Sequence, residues 1–400
     1  MRIVFDLQAL QNESRSRGIG RYVRHFFEAL SKRNDVELIA LLNHALPETL
    51  EAARADAAQL VGDQNVCVWH GLQECAASQP HNKKRAQLNQ VIYEDFLASL
   101  EFDVLLIGSM FDGYADDTTV SLGGGGDYLR ATIHYDLIPL LNPDDFFWEE
   151  NYRDFYEGKL EQLSRANILF AISDATAREA QEHLPPASHR IVSIGTAIDH
   201  SIFNDKVKRD RDLVRSLGIN RPYVLHLSTL DPRKNFDGLI RAFAKLPKSM
   251  HAKYQLVFAG TTHPQYAARL RTEARSAGLG EEQLVMLSGL SDEAVAQLYR
   301  QAALFCFPSF HEGFGLPALE AMASGCPTIG SNLTSIPEVI GDEKRLFDPS
   351  DTNEIAQAMK RLLNDTAEAA RAADEGVRRA QSFTWEAVAD RFCEPVEFFD

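Results

Sequence analysis

The sequence predicts an α/β protein made of two consecutive parallel-sheet units, and three observations lead there. At 400 residues the chain exceeds what one ordinary core organises, so two domains are the natural division. Short aliphatic or β-branched runs alternate with longer amphipathic stretches, and the alternation occurs twice over. Between the two series, residues 199–221 dilute the pattern with Asn204, Asp205, Lys206, Lys208, Arg209 and Asp210.

In the first series the expected strands are 2–5, 36–42, 104–107, 131–134, 168–172 and 190–194. Helical periodicity appears at 22–31 and 152–164. In the second series the strands are 223–227, 255–259, 285–287, 304–307 and 327–330. Helices are expected at 235–245, 266–277, 292–301, 317–324, 336–340 and 352–365. The only low-complexity patch, Gly123-Gly124-Gly125-Gly126, reads as a mobile loop beside the strand ends of the first unit. Open parallel sheets bind ligands at the carboxyl ends of their strands, so two such units facing each other would hold substrates in a central cleft.

The composition narrows the function. Hydrophobic residues make up 45% and charged residues 24%, as in soluble globular proteins. A net charge of −16 argues against a nucleic-acid partner, because a phosphate backbone rewards excess Lys and Arg. Asp6 interrupts the opening apolar run, so no leader peptide is expected, and no run reaches the ~20 apolar residues of a membrane span. The five cysteines, 67, 75, 306, 326 and 393, lack metal spacing and read as reduced thiols of a cytoplasmic protein. The cluster Lys83-Lys84-Arg85 could touch an anionic lipid surface, which leaves peripheral association at the inner face of a membrane open; such triplets are more often solvated.

Four segments carry the chemistry. The first runs from Phe307 to Glu320, where Glu312 lies in a loop and Pro317 at a helix start. Gly313 and Gly315 let the loop backbone approach a ligand, with Phe314 between them. Leu316 is expected at the cap position, where it has no side-chain oxygen for the first helical N–H groups; those orphan donors form an anion site. Glu320, one turn on, can accept from a pair of hydroxyls. The order carboxylate, anion site, carboxylate suits sugar, diphosphate and ribose.

In the second segment, Arg233 and Lys234 follow the strand 223–227 and can neutralise a leaving diphosphate. Two cations at a helix start oppose the dipole, a local cost that hints at a bound anion. The third is Arg17-Gly18-Ile19-Gly20-Arg21-Tyr22, whose Gly18 and Gly20 permit close approach of amides to a phosphate. The fourth places His134 and Asp136 at the end of the strand 131–134, within reach of sugar or acceptor hydroxyls. No metal-ligand spacing stands out, and Arg233, Lys234 and the helix start would make a divalent ion unnecessary.

On these residues the chain resembles the GT-B retaining glycosyltransferases of family GT4. The likeness rests on Glu312 to Glu320, on Pro232-Arg233-Lys234-Asn235, on the Gly18–Gly20 loop and on His134-Tyr135-Asp136. Ile172-Ser173 and the segment from Ser193 to Asp199 fit it too. The resemblance implies two Rossmann-like domains, residues 1–202 and 203–383, with a C-terminal helix in 384–400 crossing back onto the first. It implies that Glu320 binds ribose, Glu312 and His134 contact the transferred sugar, and Arg233 and Lys234 hold the diphosphate. Amides near Gly315 and Leu316 would hold it too, with Gly18 and Gly20 lining its other side. Ser228-Thr229 departs from relatives that carry an arginine after a glycine there, which leaves the shares of Arg233 and Lys234 open.

The opening Phe5-Asp6-Leu7-Gln8-Ala9-Leu10 followed by Arg15-Ser16-Arg17-Gly18 looks most like bacterial enzymes that add mannose or related sugars to surface polysaccharides. GDP-mannose is then the favoured donor, no cofactor is needed, and the acceptor is a saccharide or lipid-linked saccharide. An epimerase or phosphorylase on the same scaffold, or a non-catalytic nucleotide-sugar sensor, are the alternatives.

Overall fold

The computed structural model describes residues 1–185, 190–260 and 263–397. They fall into two compact units, Met1–Thr196 with Trp385–Asp400, and Ala197–Thr384.

The amino-terminal unit is built on a seven-stranded sheet in the order β3-β2-β1-β4-β5-β6-β7, every pairing parallel. Its strands are β1 (Arg2–Asp6), β2 (Glu37–Asn43), β3 (Val66–Trp69), β4 (Val104–Ile107), β5 (Leu129–His134), β6 (Ile168–Ala171) and β7 (Arg190–Ser193). Strands β1 and β4 are buried on both faces, which is why residues 3–5 and 104–107 read as unbroken apolar runs. The final helix, Trp385–Glu397, packs on the helix Gly18–Ser31 through Phe392 against Phe26, 5.4 Å between centroids, and Trp385 against Tyr22 at 5.0 Å.

The carboxyl-terminal unit has a six-stranded parallel sheet in the order β10-β9-β8-β11-β12-β13. Its strands are β8 (Tyr223–Leu227), β9 (Gln255–Ala259), β10 (Leu284–Leu287), β11 (Leu304–Phe307), β12 (Thr328–Ser331) and β13 (Leu346–Phe347). Both sheets therefore wind outward in two directions from a switch point, β1/β4 in one and β8/β11 in the other. A crevice opens at such a point outside the strands' carboxyl ends, and the loops after those strands line it.

Several elements depart from the sequence reading. Strands β3 and β13 went unread because β3 is a half-buried edge strand and β13 has only two residues. The helices Pro47–Val61 and Thr366–Ala380 were missed because they bury only small residues, Ala53 and Ala57 in one, Ala372, Gly376 and Ala380 in the other. Lys83-Lys84-Arg85 forms the exposed first turn of the helix Lys83–Ala98, and Arg85 pairs with Glu74 at 3.1 Å. The Gly123–Gly126 patch leads into the amino end of β5, the edge opposite the ligand-binding one; Arg130 donates to the Gly124 carbonyl there at 2.9 Å. None of the five cysteines forms a disulfide among the described residues, and no helix among them is long and apolar enough to cross a membrane.

Candidate functional site

The loops after β8 and β11 meet at the switch point of the carboxyl-terminal unit. After β8 the chain makes a 3-10 turn, Pro232–Lys234, capped by Asp231, whose side chain accepts from the Arg233 amide. Asn235 then adopts φ 56°, a left-handed conformation that costs most residues but that Asn tolerates. Its side chain accepts from the Gly238 amide, capping the helix Phe236–Ala244, and donates to the carbonyls of Pro308 and Pro349. One residue thus turns the chain, starts a helix and ties it to the β11 loop.

Lys234 reaches Glu312 across the switch point, its ammonium 2.7 Å from each carboxylate oxygen. Only 12% and 11% of these two side chains are exposed, so the pair is largely withdrawn from water. Arg233 grips Asp231 at 2.6 Å and donates to the His311 carbonyl at 3.1 Å, while the Phe310 amide donates back to the Arg233 carbonyl. The cations therefore lie ahead of the helix, already matched by carboxylates. The expected conflict with the helix dipole is absent, and Asp237 in the first turn complements that dipole.

The helix after β11 begins differently from the sequence reading. Gly315, not Leu316, is its N-cap, at φ 107°, and Leu316 and Pro317 are its first two residues. The helix, Leu316–Ala323, has no side-chain cap; Pro317 lacks an N–H and the Ala318 and Leu319 amides donate to the Gly315 carbonyl, which leaves the Leu316 amide as the helix-tip donor for a ligand. A Cβ at Gly315 would meet its nearest atom at 3.5 Å, so backbone conformation rather than space demands glycine there. Gly313 is buried in the same loop. Phe314 turns inward against Phe383, 5.9 Å between centroids. Ser335 braces the loop by donating to the carbonyls of Glu312 and Phe314. Glu320 is 6% exposed one turn into the helix, and Tyr299 donates to its Oε2 at 3.1 Å.

His226 escaped the sequence reading because nothing in its strand context marks it. It lies fully buried in β8, its Nδ1 bonded to the Cys306 carbonyl on β11 and its Nε2 to the Ser228 hydroxyl. Since a carbonyl only accepts, Nδ1 carries the proton and Nε2 accepts from Ser228. Burial pushes its pKa down to about 4, and the nearby Lys234 ammonium pushes the same way.

In the amino-terminal unit, Gly18 and Gly20 lie in the first turn of the helix Gly18–Ser31 rather than in a loop before it. Gly18 faces open space, whereas a Cβ at Gly20 would strike the Ser14 carbonyl at 2.3 Å. Close packing of the helix on residues 14–15 explains Gly20. His134 ends β5 and is 1% exposed; Asp136, partly buried, accepts from the Ile138 amide at 3.0 Å.

At this unit's switch point stands a second buried group that the sequence did not reveal. Asp6 ends β1 and accepts from the Tyr93 hydroxyl at 2.7 Å and from the Gln8 amide and side chain. Burial raises its pKa to about 6, against the opposing pull of those hydrogen bonds. Lys159, 6% exposed over the Phe155 ring, has its pKa lowered to about 8 by burial, although Asp112, Asp6 and Asp116 oppose the shift.

Residues 211–379 match the family described as Glycosyl transferases group 1. The carboxyl-terminal unit is a group 1 glycosyl transferase domain. Over the whole chain, the crystal structure of Anabaena HepE in complex with UDP and glucose superposes with a TM-score of 0.70, covering 99% of each chain at 18% identity. The architecture around the group 1 domain is thus the GT-B fold. The serotype-specific mannosyltransferase WbdA of Escherichia coli is 32% identical over 390 residues, 96% of this chain and 46% of that protein. The O-antigen chain mannosyltransferase B of Escherichia coli is 29% identical over 258 residues, 64% of this chain and 67% of that one. The chain spans less than half the length of WbdA.

Proposed function

We propose that the chain is a retaining glycosyltransferase that moves mannose from a nucleotide diphosphate donor, GDP-mannose by preference, to a saccharide acceptor. The observation that carries this reading is the meeting of Lys234 with Glu312 beside Arg233, in the two switch-point loops that precede an uncapped helix tip. A diphosphate placed there gains the Leu316 amide and competes with Glu312 and Asp231 for Lys234 and Arg233, whose charge then stabilises the phosphate as it departs. The similarity to proteins named as mannosyltransferases supports the choice of sugar.

In this reading the acceptor hydroxyl oxygen bonds to the anomeric carbon on the face the phosphate leaves. The carbon–oxygen bond to phosphate breaks, and the departing phosphate oxygen takes the acceptor proton. Arg233 and Lys234 supply the positive charge a divalent ion would bring, so the reaction runs without metal. Glu312, released from Lys234 in part, orients the sugar hydroxyls, and Glu320 accepts from the ribose. For the amino-terminal unit the reading assigns His134 and Asp136 to sugar and acceptor hydroxyls, and Gly18 and Gly20 to a phosphate.

The test incubates the protein with GDP-mannose and a mannose oligosaccharide in the presence of EDTA, and reads the product by NMR. An elongated saccharide with an α-mannosyl linkage is expected. Donor consumption without elongation would point to a hydrolase or epimerase instead. A thermal-shift panel in which UDP- or dTDP-sugars stabilise the protein as much as GDP-mannose would end the donor preference.

A further inference from the structure

Trp148 is the most exposed of the large apolar side chains among the described residues, at 82%. An indole in water needs a reason. It is not a loose side chain, because its Nε1 donates to the Asp144 carbonyl at 3.0 Å, which fixes the ring with its faces open. It stands in the loop after β5, on the ligand-binding edge of the amino-terminal sheet, downstream of His134 and Asp136.

That loop is laced to a cavity. Tyr114 donates to Glu149 at 2.8 Å, Asn151 donates to the Ala77 carbonyl at 2.8 Å, and the Ser78 amide donates to the Tyr114 carbonyl at 2.7 Å. Ala76 and Ala115, next along the same two segments, line a cavity of about 400 Å³ whose charged lining is Glu13, Glu48, Asp116 and Asp117 with one cation, Arg15, beside the amides of Gln11 and Gln73. Its walls come from the loops after β1, β2, β3 and β4, all within one unit. Four carboxylates outnumber the single Arg15, which makes the lining the complement of a polyol rather than of a phosphate.

The charge around Trp148 decides between occupants. Asp144, Asp145, Glu149 and Glu150 are all exposed beside it. Four carboxylates repel an anionic lipid surface but accept hydrogen bonds from neutral hydroxyls. Sugars present both a hydroxyl rim and an apolar C–H face, and the open indole matches that face.

We infer that Trp148 forms an outlying subsite that grips an extended neutral oligosaccharide, one or more sugars away from the cavity, so that longer acceptors bind better than short ones. This rests on the reading of the chain as a glycosyltransferase, and it specifies the acceptor as a chain of neutral sugars.

The experiment is donor-free. Of the three tryptophans, Trp69 is fully buried and Trp385 partly so, which leaves Trp148 as the exposed reporter. Intrinsic fluorescence is titrated with a mannose tetrasaccharide and with methyl α-mannoside. The tetrasaccharide should bind at least ~10-fold more tightly and shift the emission. W148A should abolish the emission shift and, by calorimetric titration of the same two saccharides, the length advantage; W148F should restore the advantage in calorimetry, and the thermal shift caused by GDP-mannose should stay unchanged in both variants. Equal affinity for the two saccharides, no saccharide binding at all, or a length advantage that survives in W148A overturns the subsite. Absence of transfer to any acceptor, with tetrasaccharide binding retained, would sink the transferase reading and leave the subsite standing.

Discussion

Lys234 and Glu312 form a nearly buried pair whose two members were read from the sequence as separate ligand contacts. Removing one partner leaves a charge without its match, whereas replacing both with apolar groups removes the conflict. Lys234→Met or Glu312→Leu alone should destabilise the carboxyl-terminal unit by about 3 kcal/mol, and the double variant should recover most of that loss without recovering transfer. Thermal denaturation and a transfer assay on the three variants separate the structural share of the pair from its functional share. Asn235 supports the same site by geometry, since it combines a left-handed φ with a cap and two loop ties. Asn235→Ala should cost about 2 kcal/mol or more and should weaken donor binding by displacing Lys234, as calorimetry would show.

At the scale of elements, buried groups of the amino-terminal unit respond to pH in opposite senses. Asp6, at the end of β1, has a folded pKa of about 6, above its ordinary value of 3.8, because burial disfavours its charge. The folded state holds that proton more tightly, so this group's stabilisation is present below pH 3.8 and is lost as pH rises through about 6. Asp112 is shifted in the same direction by burial. Lys159 works the other way: its folded pKa is about 8 against 10.5, so its stabilisation is present above pH 10.5 and lost as pH falls through about 8. Lys159→Met should therefore flatten the rise in stability expected of the native chain between pH 8 and pH 10, and Asp6→Asn should flatten the fall expected between pH 4 and pH 6. Denaturant melts across that range check both.

Legibility also divides by element. Strands buried on both faces, such as β4 and β11, could be read directly because their residues must be continuously apolar. The Phe307–Glu320 segment was legible because glycine, proline and glutamate each have one good structural use at a strand-to-helix junction. The helix Pro47–Val61 was not, since a face of two alanines leaves hardly any periodic signal. Nor was Asp6, Lys159 or His226, whose altered protonation comes from burial by residues distant in sequence. The cap position moved from Leu316 to Gly315 because a left-handed glycine ends the loop one residue earlier than proline placement alone implies.

For the molecule as a whole, two sheets wound in the same order supply two crevices at equivalent places. The carboxyl-terminal crevice carries paired cations and an uncapped helix tip, and the amino-terminal one carries four carboxylates against one cation, Arg15, with an exposed indole in the same unit. That asymmetry matches a phosphorylated donor to one unit and a neutral saccharide to the other. Transfer in EDTA at the same rate as with added magnesium is expected from a reaction whose positive charge comes from Arg233 and Lys234, and an initial-rate assay under both conditions reads it. The measurement that bears most directly on the account is calorimetric titration of GDP-mannose into the native chain and into the Lys234→Met/Glu312→Leu double variant, once equal melting temperatures have shown that both are folded. Saturable binding to the native chain, weakened at least ~30-fold in the double variant, is the predicted result. Equal affinity in the two proteins would mean that the diphosphate binds elsewhere, and would contradict the assignment of the β8 and β11 loops as the donor site.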